Sequence, residues 1–382
     1  MEFSLSWILL GLPLAFALGW LASRFDLRQI RLENRQAPKA YFRGLNYLLN
    51  EQQDQAIDAF IEAVQKDPDT SELHFALGNL FRRRGEYERA VRVHEHLMSR
   101  GDLSQADRHR AQHALALDFL KAGLLDRAED ALNKLEGTAF ETEARLALLA
   151  NYERSRDWVL AAQVAHKLEN ANQGSFHQRL AHYLCEQAAD DLTHGRVDAA
   201  RVHLEEAVNK APDAARARLA LSQLQANTGD LAGAQQTLFD AMTHAPTAIP
   251  LIAGPLADIA LRLGNGKQAL DRLQTLYEQH ASLDVLDAIV RLSAGTAGAE
   301  RDWYARHLAQ EPSLVAATRW IAGEKFEDEQ FHPQVQRALD HAIKPLLRYR
   351  CAACGFEATQ HFWQCPGCQT WDSYPARRVE EL

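Results

Sequence analysis

The hydrophobic pattern changes character three times along the chain. From Phe3 to Ala22 (FSLSWILLGLPLAFALGWLA) twenty residues pass without a charge. As a helix rising ~1.5 Å per residue, this run spans roughly 30 Å, the thickness of a bilayer's hydrocarbon core. Trp7 and Trp20 stand near its two ends, where indoles favour the interface, and Pro13 is tolerated in a membrane helix. Glu2 precedes the run and no Lys or Arg does, unlike the basic lead of a cleaved signal peptide. Arg24, Arg28, Arg31, Arg35 and Lys39 follow it, against Asp26 and Glu33. Positive flanks stay in the cytoplasm. Residues 1–22 are therefore expected to be a single-pass anchor and 23–36 a basic juxtamembrane linker. The N-terminus then lies on the outer side, with the bulk of the chain cytoplasmic.

Beyond residue 37 the pattern becomes helical and repeats itself. Small or aromatic residues mark one helix, a turn follows, and then comes Ala with a larger apolar residue four positions on. The copies are anchored by Ala56, Ala90, Ala128, Ala161, Ala200, Ala234 and Ala269, spaced by 34, 38, 33, 39, 34 and 35 residues. Gly44, Gly78 and Ala116 let the first helix of a unit approach its partner. Tyr47, Phe81 and Phe119 fill the space between units, and Pro68, Pro212 and Pro246 stop second helices. This phase resembles the tetratricopeptide repeat, a helix–turn–helix of ~34 residues. Seven units cover roughly 37–280. An eighth, 281–312, is degenerate, with Glu300 in the place of the marker alanine and Pro312 as terminator. Gly254-Pro255 is expected to break the seventh unit's first helix early.

Such arrays are interaction scaffolds whose first helices line a groove for a peptide or protein segment. By repeat register the groove candidates are Tyr41, Leu45 and Leu48, then Phe75, Asn79 and Arg82, then His113, Leu117 and Lys121. The run Arg82-Arg83-Arg84 reads more simply as favourable charge at a helix C-terminus.

The tail changes again. Cys351-Ala-Ala-Cys354-Gly355 and Cys365-Pro-Gly-Cys368 are separated by ten residues after Cys354. Two C-x-x-C turns facing each other make a tetrahedral S4 metal site. Arg348, Arg350, Arg377 and Arg378 are expected to offset its thiolate charge. Two disulfides are a poor alternative in a cytoplasmic domain. The pattern is similar to the knuckles of rubredoxins, with a short spacer and with Gln369 where those carry Gly. One iron is expected, with zinc as the alternative for the same donors. Phe356, Phe362, Trp363, Trp371 and Tyr374 are too few for a core, so the metal must hold the tail, and the knuckle should dock back on the last repeats. Cys185 reads as a small buried hydrophobe.

Composition narrows the function classes. The chain has 382 residues, 42 Lys and Arg against 51 Asp and Glu, and a net charge of −9. An acidic balance excludes nucleic acid as the main partner. Five cysteines, four of them clustered, exclude a disulfide scaffold. His94-Glu95-His96 lacks the spacing of a zinc protease helix, His109 and His113 lack further ligands, and Gly264-Asn-Gly266-Lys267 is no phosphate loop. No catalytic constellation is present. The expected organisation is all-α: anchor 1–22, linker 23–36, tetratricopeptide array 37–312, helical connector 313–348 and a rubredoxin-like domain 349–382.

An anchor, a repeat array and a metal knuckle in that order resemble the bacterial lipopolysaccharide assembly protein B family. The resemblance implies a non-enzymatic inner-membrane adaptor. Such an adaptor restrains lipid A synthesis by promoting degradation of the committing deacetylase by the membrane-bound AAA+ zinc protease, and it gathers other lipopolysaccharide assembly proteins. Cys351, Cys354, Cys365 and Cys368 match that family's metal ligands. Homo-oligomerisation is left open. A membrane-tethered scaffold for a different client and a redox protein using the knuckle are the other readings.

Overall fold

The computed structural model describes residues 16–20, 39–40, 42–66, 70–294, 298–323 and 332–382. Most of the expected anchor, the basic linker and Tyr41 lie outside these residues. Within the anchor, residues 16–20 are helical, with Phe16, Leu18 and Trp20 exposed.

The chain divides into two compact units, 1–173 and 174–382. In the first, helical residues 42–49 pair with α1 (Gln53–Lys66). Three further pairs follow: α2 (Ser71–Arg83) with α3 (Tyr87–Ser99), α4 (Gln105–Ala122) with α5 (Leu125–Asn133), and α6 (Glu141–Ser155) with α7 (Trp158–Asn170). The second unit continues the pairing with α8 (His177–Thr193) and α9 (Val197–Lys210), α10 (Ala215–Asn227) and α11 (Leu231–His244), and α12 (Ile249–Leu263) and α13 (Gly266–Gln279). Then come α14 (Leu283–Leu292) and α15 (Ala299–Gln310), and α16 (Leu314–Ala322) and α17 (His332–Ile343). Two short antiparallel strands, β1 (Tyr349–Arg350) and β2 (Glu357–Ala358), close the order, with Tyr349 opposite Ala358.

The repeat phase is a packing rule. All seven marker alanines, from Ala56 to Ala269, are 0% exposed. At Gly44 an added Cβ would come within 3.0 Å of the Phe60 ring, and at Gly78 within 2.5 Å of the His94 ring. Small residues are therefore required where two helices of a pair cross closely. Turns are set by caps: Ser104, Asp157 and Asp230 accept from the backbone amides of Asp107, Leu160 and Gly233, and Gly123 and Gly264 adopt left-handed φ of 78° and 71°.

Two expectations change. Pro255 does not end its helix, since α12 runs through it to Leu263. A proline there removes one helical hydrogen bond, to the Leu251 carbonyl, while Ile252, Ala253, Leu256 and Ala257 on the opposite face are 0% exposed. That burial outweighs one lost bond. The stretch Pro246–Leu263, this helix with the short turn before it, is the one among the described residues long and apolar enough to cross a membrane by composition, and its inward face belongs to the core. In the eighth pair Glu300 is exposed, and Tyr304 and His307 face inward instead. Tyr277 Oη lies 2.6 Å from His307 Nδ1 and seals that layer.

Candidate functional site: a metal knuckle on the first-helix face

The four tail cysteines converge. Their sulfurs all lie within 4.8 Å of one another, with Cys351 to Cys368 at 3.8 Å and Cys354 to Cys365 at 3.7 Å. These separations are far beyond an S–S bond of ~2.05 Å. They match the ~3.8 Å edge of a tetrahedron whose centre sits ~2.3 Å from each sulfur. The donor set thus fits one tetrahedral thiolate-bound ion, and the two turns carry it by one construction used twice. Gly355 N donates to the Cys351 carbonyl at 2.9 Å, and Gln369 N to the Cys365 carbonyl at 2.8 Å. The first turn closes at Gly355 with φ 77°, the second at Gln369 with φ 61°. A glutamine therefore occupies a left-handed position that a Cβ disfavours by roughly 1–2 kcal/mol.

The charge on the sulfurs is met by polar neighbours rather than by arginines. Burial opposes ionisation of Cys351, but the Ser373 hydroxyl, 3.2 Å away, and the Cys354 and Ala353 amides outweigh it and bring the thiol down to about 6. The hydroxyl and amide of Thr370 pull Cys368 down in the same sense. Arg348 and Arg350 instead pair with Glu357, and Arg378 pairs with Asp284, so the expected role of these three arginines beside the thiolates is corrected. Cys185 is buried, and burial pushes its thiol up to about 11.

The docking of the knuckle was not legible in the cysteine pattern. It does not rest chiefly on the last repeats but on the first helices of three earlier pairs. Trp371 stacks on His182 of α8 with centroids 4.5 Å apart and meets Tyr183 edge-on at 6.2 Å. His182 Nε2 lies 2.8 Å from the Asp372 carboxylate. Arg216 of α10 sits over the Trp371 ring, and Leu251 of α12 packs against the cluster of Tyr349, Cys351, Cys365 and Tyr374. The first-helix face of the second unit, where a client segment would be sought, is covered here by the chain's own tail.

Beyond the knuckle the tail ties down two helix starts. Arg378 donates to both Asp284 oxygens at 2.7 and 2.9 Å and to the Leu347 carbonyl, and lies 4.1 Å over the Tyr349 ring. Glu380 accepts from the Ser313 hydroxyl and the amides of Leu314 and Val315 at the start of α16. Glu381 accepts from the Leu283 amide at the start of α14. Carboxylates placed there complement free amides and the helix dipole.

The groove candidates of the first unit fare unevenly. Leu45, Leu48 and Asn79 line one cavity of about 170 Å³ together with Phe60, Ala76, Leu80 and Arg83. His113 is half-buried and stacks on Phe140 at 5.4 Å, Leu117 is half-buried, and Lys121 is exposed. Two candidates are corrected. Phe75 is 2% exposed, packed with Leu97 and Ala111 and roofed by Arg110, so it belongs to the core. Arg82 is tied inward, donating to the Asp118 carboxylate at 2.9 Å and the Ala114 carbonyl at 3.1 Å. Asp118 also holds Nδ1 of the fully buried His94. This Arg82–Asp118–His94 network was missed because its members come from neighbouring repeats, where periodicity marks an inward position but not its partner.

Comparison with known proteins agrees with both halves of this picture. A family model described as a rubredoxin metal binding domain matches residues 349–374, and tetratricopeptide repeat models match 43–93 and 191–254. Lipopolysaccharide assembly protein B of Escherichia coli K12 is 29% identical over 386 residues, covering 98% of this chain and 99% of the relative. The protein of that name from Haemophilus influenzae is 27% identical, covering 96% of each chain. Among solved structures, a tetratricopeptide repeat protein from Parabacteroides merdae superposes with a TM-score of 0.36 at 15% identity, over 68% of this chain and 99% of that one. The resemblance drawn from the order of the parts is thus met by curated relatives along nearly the whole chain.

Proposed function

We propose that the protein is an inner-membrane adaptor in lipopolysaccharide assembly. It restrains lipid A synthesis by presenting the committing deacetylase to the membrane-bound AAA+ protease. The observation that carries this reading is end-to-end similarity to proteins named for lipopolysaccharide assembly, spanning repeats and knuckle alike. In this reading residues 1–22 cross the membrane once with the N-terminus in the periplasm. The tether confines the array to the surface where both partners reside and raises their effective concentration. The knuckle holds one iron through Cys351, Cys354, Cys365 and Cys368, and zinc is the ion elemental analysis would return otherwise. Its part is to fix the tail against the repeats. The first unit offers the client surface, around Leu45, Leu48 and Asn79 with His113, Leu117 and Lys121 beside it.

The test is co-purification from membranes with the full chain, combined with the deacetylase half-life in cells. Wild-type protein should retain both partners and shorten that half-life. Leu48→Glu should lengthen it while the chain stays folded by circular dichroism. Recovery of neither partner by wild-type protein would end the proposal, and unfolding by Leu48→Glu would assign that residue to the core.

A further inference from the structure

A second cavity, of about 410 Å³, opens in the second unit between the start of α12, the end of α13, the start of α14 and the tail. Its walls carry the apolar side chains of Pro246, Ile249, Pro250, Leu276 and Val285 beside Thr247, Gln279 and His280, and no Asp or Glu lines it. Two polar groups stand out. Ser282 is 3% exposed, yet its Oγ has no hydrogen-bond partner, which is rare for a buried hydroxyl. As the N-cap of α14 it would ordinarily accept from the helix amides, but its side chain makes no cap bond, and Glu381 takes the Leu283 amide instead. Arg377 is exposed at the cavity and makes no hydrogen bond or ion pair among the described residues, although its neighbour Arg378 is fully engaged. Glu381, whose carboxyl feels Arg377 at longer range, is occupied by the Leu283 and Arg378 amides.

We propose that this cavity binds an amphiphilic monocarboxylate, an acyl chain lying along the apolar walls with its carboxylate held by Arg377 and the Ser282 hydroxyl. A guanidinium matches a carboxylate in a bidentate fork. Arg377 supplies the one fixed positive charge of the lining, which suits one negative charge, and Thr247, Gln279 and His280 are its other polar side chains. The volume lies within the range of small-molecule sites. At roughly 30 Å³ per heavy-atom group it admits about a dozen such groups, the size of decanoate. The inference does not depend on the lipopolysaccharide reading, since it rests on the lining alone.

A diazirine-bearing decanoate analogue, photolysed with the full chain and mapped by peptide mass, tests it. Label is expected on peptides spanning 246–250 and 276–285, displaced by decanoate and not by decanol at equal concentration. Arg377→Gln should weaken displacement by decanoate at least about tenfold, the loss expected for a charge-assisted hydrogen bond. Leu276→Trp, at a half-buried wall position, should fill the cavity and abolish labelling with the helical signal unchanged. Label scattered along the chain, equal displacement by decanol, or undiminished binding in Arg377→Gln would each overturn the proposal. If Leu276→Trp unfolds, Ser282→Ala replaces it, and full-strength labelling of that variant would remove the hydroxyl from the site.

Discussion

The two units use one repeat to opposite ends. In the second, the face made by α8, α10 and α12 is roofed by the metal knuckle, through the Trp371–His182 stack and the Asp372 contact. In the first, the corresponding region around Leu45, Leu48 and Asn79 keeps a cavity, and the polar side chains of Arg82, Asp118 and His94 are turned inward on one another. The same helix–turn–helix phase therefore specifies a surface but not its occupant. What decides is the chain that arrives there. For the second unit it is the protein's own tail, held there by aromatic stacking and shaped by the four-cysteine knuckle.

The largest effect should come from removing that metal. With Cys351→Ser or Cys368→Ser the knuckle loses a site whose binding free energy is on the order of 10 kcal/mol in small thiolate domains. The tail should become protease-sensitive and the α8–α12 face uncovered, while fragments of the first unit persist. Limited proteolysis with elemental analysis reads this. A metal-free variant with an intact, protected tail would show that packing alone holds the roof.

Arg378→Ala comes next. It removes a bidentate, largely buried bond to Asp284 and leaves that carboxylate to the Tyr349 hydroxyl and the more distant Arg319. A loss of about 3 kcal/mol is expected in the second unit, near the low end for breaking such pairs. Hydrogen exchange should rise at the starts of α14 and α16 and not in α2–α4. In the first unit Gly78→Ala is the matching break. The new methyl meets His94, which Asp118 prevents from moving away, so about 2 kcal/mol should be lost by overpacking. Equal stability by denaturant titration would mean that the His94 layer gives way freely.

Acid should weaken both units. Burial lowers the pKa of His74 and His113 in the first unit and of His307 in the second, below an ordinary 6.5. The unfolded chain then takes up protons first, so stability falls as pH drops through about 6.5 and continues to fall until these groups charge in the folded state. Melting temperature measured from pH 7.5 to 5.5 should decline, and a flat profile would contradict it. The smallest change is Gln369→Gly. Relief of the left-handed φ should stabilise the metal-loaded knuckle by up to about 1 kcal/mol, with metal content unaltered.

Much of this was legible in the residues themselves. Alanine at a fixed interval can only mean close helix crossings, and each such position is sealed from solvent. Two C-x-x-C turns carry their geometry with them, and Gln369 is a departure visible in the sequence alone. Other features depend on encounters that no local pattern encodes. Asp372 meets His182 across 190 positions, and Asp118 meets Arg82 across 36. Register places Phe75 and Leu48 on one face, yet Arg110 from the next pair lies over the Phe75 ring. Register sorts positions into inward and outward. It does not show which side chain from a neighbouring repeat will close over them.

The caps supplied by Glu380 and Glu381 have a consequence for how the protein is made. Synthesis runs from the N-terminus, so α14 and α16 leave the ribosome well before the residues that finish their first turns, Leu283 and Glu381 being 98 positions apart. The first unit can settle while translation continues, as repeats that contact only neighbours do. The second unit stays open at two helix starts until its tail emerges, binds metal and swings back. A nascent chain stalled before Arg378 would therefore display a half-finished array, and its susceptibility to quality-control proteases would report how far translation had run.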